Sequence, residues 1–233
     1  MSMNDYELDQ LKQLIHGFHE AKTLPVKVVS GGSEAYRGQH QKYPNAHYFG
    51  CPTEPEELGR FNDPWKVFRV WYGAEHPSGA LAETFGRLRL PGHKGLGTFI
   101  SLEDLETRNM CKVEMVRDLR LLDLKACLSK LNRTLDEVTG ENYDLTQAIV
   151  GIVARLEPNA FDGIAYESRH YSDGRMCYAL WVAPGQEPTV STVSMTGLSE
   201  FEHHGETPDY FDGDVMDTEE ILTEMLGYKV VAP

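Results

Sequence analysis

The stretch Leu58–Arg87, LGRFNDPWKVFRVWYGAEHPSGALAETFGR, constrains this 233-residue chain most, because it dictates a turn, a strand and a helix in immediate succession. Asn62-Asp63-Pro64 is turn chemistry directly after Gly59-Arg60. Val67-Phe68-Arg69-Val70-Trp71 is an apolar, strand-like run that ends at Tyr72. Pro77 and Ser78 then open the helical pattern Ala80-Leu81-Ala82-Glu83-Thr84-Phe85. The stretch sets Arg60, Tyr72 and Glu83 at spacings of 12 and 11 residues (60 to 72 to 83). A cation for phosphate, a π-face for a flat ring and a carboxylate for a sugar suit a nucleotide cleaved at its glycosidic bond. Each residue also has an ordinary reading: a surface charge beside a turn, a core-edge aromatic and a water-facing helix carboxylate.

Apolar residues Leu8, Leu11, Leu14, Ile15 and Phe18 recur at helical spacing and predict a helix over 5–21, followed by a strand over Leu24–Val29. Residues 37–65 read as loop-rich, with Pro44, Gly50, Pro52, Pro55, Gly59 and Pro64 among them. Thr98–Leu102 and Lys112–Leu122 read as further strands. Short helices are expected over 123–131 and 134–138, and a longer one over Asp144–Arg155. Gly163–Tyr166 and Cys177–Val182 read as two buried strands, Thr189–Met195 as an edge strand, and Thr218–Leu226 as an acidic helix behind Asp217. The expected division is an N-terminal helical extension (1–30), a central domain (31–185) and an acidic C-terminal extension (186–233).

The net charge of −14 argues against a nucleic-acid backbone as direct partner. The charge is unevenly placed: Met176 to Tyr228 holds no lysine or arginine, and Glu200 to Glu224 holds ten acids. That segment reads either as a solvated edge element or as a cover folded over a cationic cleft containing Arg37 and Arg60. No apolar run approaches the ~20 residues needed to span a bilayer, and the amphipathic, acidic N-terminus does not read as a signal peptide. A soluble, cytoplasmic protein is expected. Cys51, Cys111, Cys127 and Cys177 form no CxxC pair and read as reduced core thiols. Phosphate-loop, Rossmann, GxSxG and HExxH patterns are absent. Gly92–Gly97 reads as a mobile turn, and His203-His204 as an incidental pair rather than a metal site.

Four blocks in order resemble the RES family: Ala35-Tyr36-Arg37, then Gly59-Arg60-Phe61-Asn62-Asp63, then Trp71-Tyr72-Gly73-Ala74 running to Ala80-Leu81-Ala82-Glu83, and finally Phe161-Asp162-Gly163-Ile164-Ala165-Tyr166-Glu167-Ser168-Arg169-His170. The resemblance covers roughly residues 35–183. It implies an α+β fold similar to the ADP-ribosyltransferase catalytic core, with a split, twisted sheet flanked by helices. It also implies cleavage of NAD+ by hydrolysis or phosphorolysis, as in bacterial toxins restrained by a helix-turn-helix (Xre-type) antitoxin. Transfer of ADP-ribose to a protein is the alternative enzymatic reading, and a catalytically silent binding module the non-enzymatic one. NAD+ would be substrate, with no metal and no resident cofactor. No membrane partner is expected, and a homodimer is left open.

On that resemblance Glu83, Arg60 and Ser168 are the expected catalytic residues, and Arg37, Tyr72 and Asn62 the expected substrate-binding ones. Glu83 would stabilise an oxocarbenium-like ribosyl centre. The planar forks of Arg60 and Arg37 suit a pyrophosphate. Tyr72 offers a face to the cationic nicotinamide ring, and Ser168 a hydroxyl to the amide or ribose. The block Gly-Arg-Phe-Asn carries Phe61 where many relatives have tryptophan.

Overall fold

The computed structural model describes residues 4–50, 52, 54, 57–89, 99–140, 142–156, 160–171, 173–209 and 211–231. Cys51 and the Gly92–Gly97 turn lie outside the described residues. The elements in chain order are α1 (Asp5–Glu20), β1 (Val26–Val29), β2 (Glu34–His40), β3 (Arg69–Ala74), α2 (Pro77–Phe85), β4 (Phe99–Ser101), α3 (Leu102–Glu106), β5 (Arg108–Met115), β6 (Leu119–Asp123), α4 (Leu124–Lys130), α5 (Asp136–Thr139), α6 (Asp144–Val153), β7 (Gly163–Glu167), β8 (Met176–Val182), β9 (Val190–Gly197), β10 (Glu202–His203), β11 (Met216–Asp217), α7 (Thr218–Glu220) and β12 (Lys229–Val231). Between α7 and β12 the chain continues as a π-helical turn, Ile221–Met225.

Eight strands form one sheet in the order β1-β6-β7-β8-β3-β2-β5-β9. Its neighbours are antiparallel except the parallel pair β6–β7. The seam between β3 and β2 differs from every other: a single register pair, Tyr36↔Ala74, joins them, whereas β3 matches β8 from Arg69↔Val182 to Ala74↔Cys177. The sheet is therefore split there, with β1-β6-β7-β8-β3 on one side and β2-β5-β9 on the other. The fold is α+β, as expected.

Side chains on β8 alternate between two cores, Cys177, Ala179 and Trp181 entering one and Tyr178, Leu180 and Val182 the other, which is the period of a strand buried on both faces. The larger core takes α1, α2, α4 and α6, with Leu11 and Ile15 of α1 buried in it. An Asn4–Glu7 capping box starts α1. Cys111, Cys127 and Cys177 are free and buried, and burial pushes the Cys111 thiol up to about 11.

Two readings change. Glu34–His40 is a regular strand although Arg37-Gly38-Gln39-His40 lacks apolar alternation; full pairing with β5 holds it. Lys112–Leu122 belongs to β5 and β6, which part to opposite halves of the sheet. The segments expected as extensions contribute β1 and β9 to the same sheet. No helix among the described residues is long and apolar enough to cross a membrane.

Candidate active site

A cavity of about 460 Å³ opens where the sheet splits, within the size range of small-molecule sites. Gly38 of β2 makes room for it: a Cβ there would stand 2.2 Å from Thr84 Oγ1 on α2. Helix α2 thus lies against the seam and presents Ala80, Glu83 and Thr84 to the cavity, one helical face at i, i+3 and i+4.

Glu83 is fixed from behind. Ser168 Oγ donates to Glu83 Oε1 at 2.7 Å, and Tyr166 Oη lies 3.4 Å from Oε2. Ser168 Oγ in turn accepts the His170 N–H at 3.1 Å. Burial, then the Glu83 charge, pushes the Tyr166 phenol well above its ordinary value, so it remains a donor.

The opposite wall is the turn Gly59–Asn62. Tyr72 Oη accepts the Phe61 N–H at 3.0 Å and donates to Asn62 Oδ1 at 2.9 Å. Asn62 Oδ1 also accepts the Gly59 N–H at 2.9 Å. A Cβ on Gly59 would meet Asn62 Oδ1 at 2.8 Å and Tyr72 Oη at 2.9 Å, so only glycine fits this approach. The turn holds Arg60 inward, its guanidinium 4.6 Å from the Phe61 ring centroid and 4.8 Å from that of Tyr166. Arg60 is buried, and among the described residues its side-chain hydrogen bond goes to Val138 O at 3.4 Å, with no carboxylate partner.

Arg37, Arg60, Arg108 and Arg169 all line the cavity, with Glu83 the one carboxylate among the described lining residues. Arg37 Nη1 donates to Tyr48 O at 2.8 Å, and burial draws its guanidinium below the ordinary value. Arg108 leans over Phe85 and keeps a buried Nε with no partner among the described residues. Arg169 is tied to Thr139 O and Gly140 O at 2.9 and 2.8 Å. In a chain of net charge −14 this is a local cationic enclosure. A larger cavity, about 650 Å³ near Phe68 and Trp181, also has two arginines, but each is ion-paired with an aspartate.

Of the expected site residues, Arg37, Arg60, Tyr72 and Glu83 line the cavity together. Ser168 sits behind Glu83, and Asn62 turns its Oδ1 into the turn; neither is on the wall. Tyr166, Arg169 and His170 are wall residues lying in a block already singled out, to which no role had been given. Arg108 and Tyr143 also line the cavity and carried no local signal. The acidic segment 200–224 contributes no described lining residue. His203 is buried while His204 is exposed, and among the described residues no three His, Cys, Asp or Glu side chains gather as metal ligands.

Fold and site together define an α+β protein whose split sheet encloses an arginine-rich cleft around one anchored carboxylate. The chain belongs to the RES domain family, whose model matches residues 34–196. That span contains every described residue of the cavity wall. Membership is consistent with an enzymatic, NAD-related role. No curated protein matches the chain.

Proposed function

We propose that the chain cleaves NAD+ at the bond between nicotinamide and ribose, releasing nicotinamide and passing the ribosyl centre to water or phosphate. The observation that carries this reading is the carboxylate of Glu83, held by Ser168 and Tyr166 and facing a cleft that is otherwise cationic. The C1′–N bond breaks with its electron pair going to the nicotinamide nitrogen, which loses its positive charge. Positive charge then builds on the ribosyl carbon and ring oxygen, where a fixed carboxylate is most effective. Arg60 is suited to the pyrophosphate: a buried guanidinium with no counter-ion among the described residues costs free energy that an anionic ligand returns. Arg37 and Arg108 offer further anion contacts, and Tyr72 and Phe61 supply ring faces. The role we assign Ser168 is to aim Glu83, and that of Asn62 is to hold the Arg60 turn. A helix-turn-helix restraining protein belongs to the same proposal, tested by co-purification.

The test is incubation of purified protein with NAD+, with and without phosphate, and identification of products. Nicotinamide plus ADP-ribose marks hydrolysis, and a phosphorylated ADP-ribose marks phosphorolysis. Intact NAD+ in both arms refutes the proposal.

A further inference from the structure

Residues beyond the family-matched span hold α2 at both of its ends. His203 meets its N-cap, and Tyr228 packs on Phe85 in its last turn, ring centroids 6.4 Å apart. Ile221, Leu222 and Leu226 of the intervening turn are buried in the same core as Leu81. We propose that this C-terminal segment positions the helix bearing Glu83, through a hydrogen-bonded histidine pair that joins His203 to His76.

His76 is the N-cap of α2, and its Nδ1 accepts the Ser78 N–H at 3.2 Å. Ser78 Oγ also lies 2.7 Å from Nδ1; in the tautomer whose Nδ1 accepts the Ser78 N–H, the ring proton sits on Nε2. From there it donates to His203 Nε2 at 3.0 Å. Both rings are buried and cross edge-on, centroids 4.5 Å apart. The other side of His203 meets Tyr36 of β2 edge-on at 6.2 Å, so the pair spans the split. Ser78 Oγ adds a contact to Asp173 at 3.3 Å. Glu83 lies seven residues from the cap (76 to 83), which is ~10 Å along a helix. A small tilt at His76 therefore displaces the carboxylate.

In that tautomer the pair needs a free lone pair on both His203 Nε2 and His76 Nδ1. A proton on His203 Nε2 sets two N–H groups against each other, and one on His76 Nδ1 removes the cap. The charged and titratable groups around the pair are Arg175, Asp173, His204, Lys112 and Tyr36, and a hydrogen bond with the Glu206 backbone favours the charged form of each ring. Burial, reinforced by Arg175, draws His76 down to about 4, against the pull of Asp173. Burial, then Arg175 and His204, also lowers His203. Both folded values lie below the free histidine value of 6.5. The bond is therefore complete above that pH and is lost as the pH falls through the folded values.

The kinetic side of this inference rests on the proposed NAD+ cleavage; the helix-positioning side does not. The full chain is compared with His203→Ala and His203→Gln, the glutamine being able to accept from His76 Nε2. Amide exchange over residues 78–86, corrected for intrinsic rate, is measured at pH 7.5 and pH 4, together with kcat and KM for NAD+. His203→Ala should raise α2 exchange at least tenfold at pH 7.5 and lower kcat more than it raises KM, and His203→Gln should restore most of both. At pH 4, about the folded His76 value, the wild type should move toward His203→Ala, and His203→Gln should move less. Unchanged α2 exchange in folded His203→Ala, or a glutamine variant no better than alanine, overturns the inference. Absence of NAD+ cleavage by the wild type would refute the functional proposal alone, and exchange would still decide the positioning claim.

Discussion

The cleft at the split and the cavity near Phe68 both combine arginines with aromatic walls, yet their charges are in opposite states. In the second cavity Arg155 binds both oxygens of Asp63, at 3.0 and 2.8 Å, and Arg117 reaches Asp162 at 2.6 Å. Among the described residues of the cleft, Arg60 has only a carbonyl at 3.4 Å and Arg108 keeps a buried Nε without a partner. The first arrangement is self-sufficient: Asp63 also accepts the amides of Trp65, Val67 and Phe68 and so pins the approach to β3. The second has no such partner among the described residues, and in the proposed function an anionic ligand supplies it. An arginine's partner, more than its presence, separates a structural cation from a binding one.

The largest expected effect comes from the cleft. Glu83→Gln keeps the size of the side chain and removes the charge facing the ribosyl centre. Nicotinamide release should fall by ~10²–10³ in a protein that still folds. Near-normal release would remove Glu83 from the chemistry.

The next prediction sets one arginine against another. Arg60→Ala should weaken NAD+ binding by ~10–100-fold, the worth of a charge-assisted hydrogen bond, with little change in unfolding midpoint. Arg155→Ala should do the reverse, costing ~1–3 kcal/mol of stability and leaving affinity nearly intact. Denaturant titration and calorimetry on the same two variants separate the cases. If both variants lose stability equally, the comparison fails.

A smaller effect sharpens the role of Arg60. Arg60→Lys should recover part of the lost affinity, because a point charge does not reproduce a bidentate fork. Nicotinamide riboside, which lacks the pyrophosphate, should be nearly indifferent to either substitution. Equal losses for both ligands would place Arg60 away from phosphate.

The elements that carry this cleft differ in how well their sequence exposed them. Helix α2 was legible because Pro77-Ser78 and the run to Phe85 are local signals, and β7 and β8 because Gly163–Tyr166 and Cys177–Val182 are continuous apolar runs. Strand β2 was not, since its strand geometry comes from pairing with β5, a partner distant in sequence. Arg108 and Tyr143 reach the cavity from β5 and the start of α6, and only tertiary packing brings them there. Asn62 was assigned to the ligand because its block suggested it, but its side-chain oxygen is consumed by Gly59 and Tyr72. The acidic stretch read either as a solvated edge element or as a cover over the cleft; its described residues line no part of the cavity, and Ile221 and Leu222 pack with the helical core.

The smallest effect concerns acid. Burial raises the Asp63 carboxyl, but hydrogen bonds from Arg155 and the Val67 and Trp65 amides outweigh it and hold the group below 3.8. The Asp63–Arg155 pair thus stabilises the fold above that value and ceases to as the pH falls through the lower, folded one. The stability gap between wild type and Arg155→Ala should accordingly narrow in acid. A gap that stayed constant with pH would mean that Arg155 acts through its packing on Trp65 and Phe68.

Calorimetric titration of NAD+ into Glu83→Gln, which should bind without turning over, tests the central claim most directly when repeated with Arg60→Ala or Arg117→Ala added. The account predicts one site per chain, lost or weakened at least tenfold by Arg60→Ala and unchanged by Arg117→Ala. Binding that survives Arg60→Ala and disappears with Arg117→Ala would put the ligand in the other cavity and contradict the account.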